Sequence, residues 1–154
     1  MNKMVVILGA GESGLGSAIL AQKQGWETFV SDMGAISTSA KTKLKDLKIK
    51  YEEKTHSEEI ILQADVIIKS PGIPEKAAII RKIRAEGIRI ESEIEFAYRY
   101  IGQAKTIAIT GTNGKTTTTS LIYRILKDAN LSVAYGGNIG HSFANLVAKF
   151  WFSF

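Results

Sequence analysis

A chain of 154 residues can form one complete domain and the beginning of another, and its composition, 45% hydrophobic and 23% charged, is typical of a globular protein. The absence of cysteine excludes disulfides and thiolate metal sites, so we expect a reducing, cytoplasmic setting. The net charge is +5, but the Lys and Arg residues are scattered along the chain, so we expect no nucleic-acid partner. No stretch approaches the roughly 20 apolar residues of a membrane span, so we expect no membrane partner.

Short apolar runs alternate with helical patterns over the first ninety residues or so. Strands are predicted at 4–8, 28–31, 48–51, 66–69 and 89–90, and helices at 13–24, 39–47, 57–62 and 75–85. This alternation indicates parallel strands joined by right-handed crossovers. We therefore predict an α/β fold with a Rossmann-like, doubly wound parallel sheet.

The pattern changes after Gly87. Residues 91–100 predict a helix on which Glu91, Glu93 and Glu95 form a solvated face. A new strand is predicted at 106–110, and we place a domain boundary before it, near residues 100–104, giving units 1–102 and 103–154.

The second unit predicts few elements, namely the strand at 106–110, a helix at 115–128, a strand at 132–135, a glycine-rich turn at 136–140 and a short helix from about 141. Two strands cannot bury a sheet. The chain also ends with four aromatic residues in the five positions 150–154. We expect this unit to be cut short, by truncation or by an altered reading frame.

A first phosphate-type loop lies at residues 9–14, which read Gly-Ala-Gly-Glu-Ser-Gly between a predicted strand and a predicted helix. Asp32 follows the second strand, where such folds place a carboxylate near a ribose hydroxyl. The loop alone leaves three interpretations open: a dinucleotide cofactor, another nucleotide diphosphate, or a turn that only packs the helix on the strand. Ser70, Pro71 and Gly72 follow the fourth strand and would reach the same sheet edge, although they also suit an ordinary turn.

A second loop follows the predicted strand at 106–110 and opens the next helix. Its residues are Gly111, Thr112, Asn113, Gly114, Lys115, Thr116 and Thr117. Backbone N–H groups at such a position can cradle phosphates, Lys115 would neutralise phosphate charge and the Thr116 hydroxyl would bind Mg²⁺. The loop departs from the generic phosphate-loop pattern, because Ile109 stands where the first glycine is expected. We expect ATP with Mg²⁺ as its ligand.

Both loops in this order, with Ser70-Pro71-Gly72-Ile73 between them and Gly-Gly-Asn-Ile-Gly at 136–140 after them, resemble the Mur ligases of bacterial cell-wall synthesis. The resemblance covers residues 4–148. It implies a three-domain enzyme that activates the carboxylate of a UDP-muramoyl substrate with ATP, forming an acyl phosphate that an amino acid attacks. The members that add D-glutamate to UDP-N-acetylmuramoyl-L-alanine match best, and addition of L-alanine to UDP-N-acetylmuramate stays an alternative.

The resemblance implies a role for each loop. The UDP part of the substrate would be bound by the first loop and its neighbours, namely Gly11, Glu12, Ser13, Gly14, Asp32, Ser70, Pro71 and Gly72. Asn138 would contact the muramoyl substrate. The catalytic residues would be Lys115 and Thr116, with Thr116 as the Mg²⁺ ligand.

Later elements of the family have no counterpart in the sequence: a Mg²⁺-binding glutamate, a carbamylated lysine with a histidine, and the amino-acid-binding domain. We therefore expect weak ATP binding at best, and no ligation by this polypeptide alone.

Two other functional classes stay open, an NAD(P)-binding oxidoreductase module and a non-catalytic nucleotide-binding module. His56 and His141 have no companions at ligand spacing, so we expect no catalytic or metal role for them. Oligomeric state cannot be predicted.

Overall fold

The computed structural model describes residues 3–137 and 141–150. In these ranges the strands are β1 (Met4–Leu8), β2 (Glu27–Asp32), β3 (Lys50–Glu53), β4 (Val66–Lys69) and β5 (Arg89–Glu91). The helices are α1 (Glu12–Lys23), α2 (Thr38–Asp46), α3 (Glu58–Ile61), α4 (Ala78–Ala85), α5 (Glu93–Tyr98), α6 (Lys115–Asp128) and α7 (Phe143–Phe150).

The five strands form one parallel sheet in the order β3-β2-β1-β4-β5. The central strand β1 pairs with β2 on one side, where Val5 faces Thr28, and with β4 on the other, where Val5 faces Val66. The chain thus winds outward from β1 in both directions. This confirms the predicted α/β fold and puts the topological switch point at β1, where such sheets bind ligands.

The sheet is covered on both faces, so its central strand is apolar throughout. Val5 and Ile7 belong to a core with α1, α2, α5 and α7, whereas Val6 and Leu8 belong to a core with α3 and α4. Successive side chains of a strand point to opposite faces, which explains the division. All four side chains are fully buried.

The carboxylates predicted as a solvated helix face are placed differently. Glu91 is the last residue of β5 and is 3% exposed, and Glu93 on α5 is 6% exposed. Only Glu95 is exposed; it completes a capping box with Ser92 at the start of α5. The prediction was wrong for Glu91 and Glu93, because the helix begins two residues later than expected and other elements pack over it.

The two predicted strands of the second unit do not form. Residues 106–110 and 132–135 carry no strand, and α6 between them has no buried residue. A strand needs a hydrogen-bonded neighbour, and an isolated pair is marginal in water. Apolar side chains such as Leu121 and Ile125 on α6 are each 58% exposed.

Helix α7 follows α6 in the chain and packs against α1 and α5. Its Ala144, Val147 and Ala148 are buried in the core that also contains Ala18 and Ala21 of α1. Within the described ranges, no helix combines the length and apolar character needed to cross a bilayer.

Candidate nucleotide site

The loop after β1 is fixed to both neighbouring strands. The Gly9 N–H donates to the Ser31 carbonyl oxygen of β2 (2.8 Å), and the Ser70 N–H, just after β4, donates to the Leu8 carbonyl oxygen (3.0 Å). These bonds continue the parallel ladders past the end of β1. The predicted site residues Asp32 and Ser70 are thereby brought to one edge of the sheet, on either side of the first loop.

Gly14 allows α1 to approach the strand closely. A Cβ atom at this position would lie 1.8 Å from the Gly9 carbonyl oxygen, a backbone atom that cannot move aside. Gly11 precedes α1 as its N-cap with φ of −67°, and a Cβ there would meet nothing within 4 Å. The loop therefore leaves open space above Gly11, at the positive end of α1, where backbone N–H groups can bind an anion.

Asp32 joins the first loop to the loop after β2. Its Oδ2 accepts from the Ala10 N–H (2.6 Å) and its Oδ1 accepts from the Gly34 N–H (2.7 Å). A carboxylate oxygen can accept more than one hydrogen bond. The half-buried carboxylate thus positions both loops and keeps acceptor capacity for a ligand hydroxyl.

The remaining predicted residues of the first site lie around this loop. Glu12, Pro71 and Gly72 are exposed, and Ser13 and Ser70 are half-buried. The Lys69 ammonium donates to the Ile73 carbonyl oxygen (2.8 Å) and so holds the turn that contains Pro71 and Gly72. The predicted Asn138 lies outside the described residues.

A polar cluster beside Asp32 was not predicted from the sequence. The buried Ser31 hydroxyl donates to Glu52 Oε1 (2.6 Å), and Ser57 donates to the same carboxylate from its hydroxyl (2.5 Å) and its N–H (2.8 Å). Ser31 Oγ also lies 2.6 Å from His56 Nδ1. Because the Ser31 proton is directed to Glu52, Nδ1 must carry its own proton and donate to Ser31.

The environment within this cluster lowers the pKa values of Glu52 and His56. Burial raises the pKa of Glu52, but hydrogen bonds from Ser31 and Ser57 and the nearby His56 outweigh it, so the pKa lies below its usual value of 4.5. Burial lowers the pKa of His56 below 6.5, against the charges of Glu52 and Asp32. The sequence could indicate only part of this cluster. Ser31 is next to the predicted site residue Asp32, but no local pattern shows that Ser31 lies close to residues 52–57.

The second loop leads into α6 through Gly114, whose φ is 75°. The Lys115 ammonium donates to the carbonyl oxygens of Gly111 and Thr112, so it lies over the loop. Thr116 and Thr117 occupy the first turn of α6 and are exposed. The N–H groups of a first helical turn have no partner within the helix, so this loop presents donors and one ammonium on the surface. Asn113 is exposed in the same loop.

Comparisons with known proteins agree with this arrangement of two loops. The MurD N-terminal domain family matches residues 4–79, and the Mur ligase middle domain family matches residues 109–148. The chain is 58% identical over 147 residues to a UDP-N-acetylmuramoylalanine–D-glutamate ligase of Bacteroides thetaiotaomicron and 57% identical over 147 residues to one of Bacteroides fragilis. Each alignment covers 96% of this chain and 33% of the relative, so the chain spans about a third of the length of these curated relatives.

A solved structure has the same fold. A murein peptide ligase of Psychrobacter arcticus matches with a TM-score of 0.61 at 24% identity, covering 89% of this chain and 31% of that one. The two family matches follow each other in the order of the two loops and together include both. These findings confirm the resemblance: the chain belongs to the Mur ligase family.

Proposed function

We propose that this chain carries the UDP-binding unit and the beginning of the ATP-binding unit of a ligase that adds D-glutamate to UDP-N-acetylmuramoyl-L-alanine in peptidoglycan precursor synthesis. The observation that carries the proposal is the identity of 57–58% with ligases of that name, across a segment that includes both loops. Because the chain spans about a third of those relatives, the ligation itself is proposed for the full-length protein. Binding of the nucleotide substrate is proposed for the chain itself.

In the proposed complex, the UDP diphosphate lies on the first loop. The open space above Gly11 admits it, and the N–H groups of Ser13 and Gly14 at the start of α1 bind its oxygens. Asp32 accepts from a ribose hydroxyl while it holds the loop through the Ala10 N–H. Glu12 and the turn of Ser70, Pro71 and Gly72 border the ligand. Asn138 would contact the muramoyl part.

The second loop carries groups that can bind a triphosphate with Mg²⁺. These are the ammonium of Lys115, the first-turn N–H groups of α6 and the exposed hydroxyl of Thr116. ATP would supply the phosphoryl group that activates the substrate carboxylate. Lys115 would neutralise charge on the transferring phosphoryl group and Thr116 would hold the cation. Gly111, Thr112, Asn113, Gly114 and Thr117 would surround the phosphates.

Calorimetric titration of the chain with UDP-N-acetylmuramoyl-L-alanine and with NAD tests whether the chain binds the proposed UDP ligand or a dinucleotide. We expect the UDP substrate to bind and NAD not to bind. The decisive variant is Gly11→Ala, because its new methyl group occupies only the open space above the loop. It should leave the melting temperature unchanged while it weakens UDP binding at least about tenfold.

The matched control is Gly25→Ala, which adds the same methyl group at the turn after α1, away from the first loop, where a Cβ also meets nothing within 4 Å. It should bind the UDP substrate as the unaltered chain does, although its backbone φ of 77° lowers stability. NAD binding without UDP binding would refute the proposal, as would equal UDP affinity in the unaltered chain and the Gly11→Ala variant.

A further inference from the structure

Glu93 is a buried carboxylate that crosses between two helices. It lies in the first turn of α5 and is 6% exposed, and its Oε1 accepts from the Ala144 N–H in the first turn of α7 (2.9 Å). The two residues are 51 positions apart in the chain. A negative charge at a helix N-terminus interacts favourably with the helix dipole and takes up an N–H group that has no partner within the helix.

Helix α7 is also fixed at two other points. Ser142, 1% exposed, caps α7 by accepting from the Asn145 N–H (3.0 Å) and lies against Gly16 of α1, where a Cβ would come within 1.9 Å of the Ser142 Oγ. At the other end, the Lys23 ammonium at the end of α1 donates to the Ala148 carbonyl oxygen (2.9 Å). Helix α7 therefore lies along α1, and Glu93 joins the pair to α5.

Glu93 is carried by a firmly packed helix. Phe96 of α5 is fully buried, with edge-to-face contacts to Trp26 (ring centroids 5.9 Å apart) and Tyr100 (5.3 Å). The Trp26 indole N–H donates to the Tyr100 hydroxyl (2.9 Å). Since α5 is tied to the start of β2 in this way, its carboxylate has a defined position relative to the sheet.

The contact between α1 and α7 begins next to the first loop. Gly14 packs against the loop backbone, and Gly16 in the same turn of α1 packs against Ser142. A displacement of α7 would remove the neighbour of this first turn, whose N–H groups face the proposed diphosphate. The position of α7 and the geometry of the loop are thus linked through one turn of helix.

We propose that Glu93 is a positioning residue that anchors α7 on α1, so that docking of α7 and binding of the UDP ligand at the first loop stabilise each other. The proposal rests on the proposed function, because it needs a UDP ligand on that loop. Such coupling is reciprocal: a ligand that holds the first turn of α1 must also strengthen the docking of α7. Glu93 need not touch the ligand.

Hydrogen exchange followed by mass spectrometry, together with calorimetric titration, tests this on the 154-residue chain. In the Glu93→Ala variant we expect faster exchange in residues 143–150 without ligand, and affinity for UDP-N-acetylmuramoyl-L-alanine reduced about tenfold. Glu93→Gln should largely restore both, since its amide oxygen can accept from the Ala144 N–H. In the unaltered chain the ligand should slow exchange in residues 143–150.

Two further variants separate anchoring from a general loss of structure. Glu95→Ala removes the neighbouring carboxylate, whose bonds are to Ser92, and should leave exchange in residues 143–150 and ligand affinity unchanged. Gly16→Ala alters no residue of α5 but forces α7 away from α1, and should reproduce both effects of Glu93→Ala.

The outcomes distinguish the two proposals. If the unaltered chain binds no UDP ligand, the proposed function fails, and the coupling fails with it. If it binds, and Glu93→Ala and Gly16→Ala both bind as tightly as the unaltered chain does, the coupling is refuted while the proposed function stands. An effect of Glu95→Ala on residues 143–150 as large as that of Glu93→Ala would also overturn the role of Glu93.

Discussion

Asp32 holds two loops with one carboxylate, and its removal should cost stability as well as ligand binding. Ala10 is buried, so Asp32→Ala leaves the Ala10 N–H without its acceptor. An unsatisfied buried N–H costs about 1–3 kcal/mol. We predict a loss of that size in the free energy of unfolding, measured by urea denaturation, together with loss of UDP binding.

Asp32→Asn is the informative companion, since its side-chain oxygen can still accept from Ala10. It should recover most of the stability. Asp46→Ala, an exposed substitution at the end of α2, should change the free energy of unfolding by less than about 0.5 kcal/mol. Equal stability of Asp32→Ala and the unaltered chain would contradict the bonding described.

His56 and Glu52 make stability dependent on pH in one direction. In the folded chain, the pKa of His56 lies below its usual value of 6.5. As the pH falls below 6.5, the unfolded chain therefore binds a proton that the folded chain does not yet bind. The free energy of unfolding decreases over this range, until the pH reaches the pKa of the folded chain. The folded pKa of Glu52 lies below 4.5, so its contribution is present above pH 4.5 and is lost at lower pH. We predict a free energy of unfolding that decreases on acidification in both ranges.

Urea denaturation at a series of pH values checks this, with His56→Gln as the variant. Its curve should be flatter than that of the unaltered chain just below pH 6.5, because glutamine has no ring that takes up a proton there. A His56→Gln curve that is parallel to that of the unaltered chain would show that the burial of the ring has no effect on its titration.

At the scale of elements, the turn between β1 and α1 depends on a residue without a side chain. In Gly14→Ala the new Cβ meets the Gly9 carbonyl oxygen at 1.8 Å, so strand and helix must separate. We predict a loss of about 3 kcal/mol in the free energy of unfolding, at the upper end of the usual cost of overpacking, because the obstacle is backbone. Chemical denaturation measures it, and a Gly14→Ala chain as stable as Gly11→Ala would contradict the packing.

The sequence could predict the elements that repeat a local pattern. The alternation of apolar strands and helices predicted all five strands of the sheet, and the glycine loops predicted the starts of α1 and α6. It could not predict the absence of strands at 106–110 and 132–135, because strand formation depends on a neighbour rather than on local composition.

The same limit applies to the site. The first loop, Asp32 and Ser70 follow strands of a recognisable pattern, so their common edge could be inferred. The sequence predicts a solvated Glu93, because its partner, Ala144, lies far along the chain and reaches it only through the packing of α7. The link between Ser31 and His56 also crosses from one strand to the loop after another.

At the scale of the whole molecule, the two loops differ in how much packed structure surrounds them. The first lies on a covered five-stranded sheet between packed strands, whereas the second opens a helix with no buried residue. This difference agrees with the proposal that two ligands bind in separate places, a UDP substrate at the packed sheet edge and ATP at the surface loop. It also predicts that the first loop keeps its structure without ligand better than the second.

The claim that the loops serve two ligands is tested most directly by an NMR titration that follows backbone amide shifts. We predict that UDP-N-acetylmuramoyl-L-alanine shifts the amides of residues 10–14 and 70–72 and leaves those of residues 111–117 in place. ATP with Mg²⁺ should, at high concentration, shift residues 111–117 alone, and Lys115→Met should abolish that response. Shifts at residues 10–14 caused by NAD but not by the UDP substrate, or by ATP as readily as by UDP, would contradict the account.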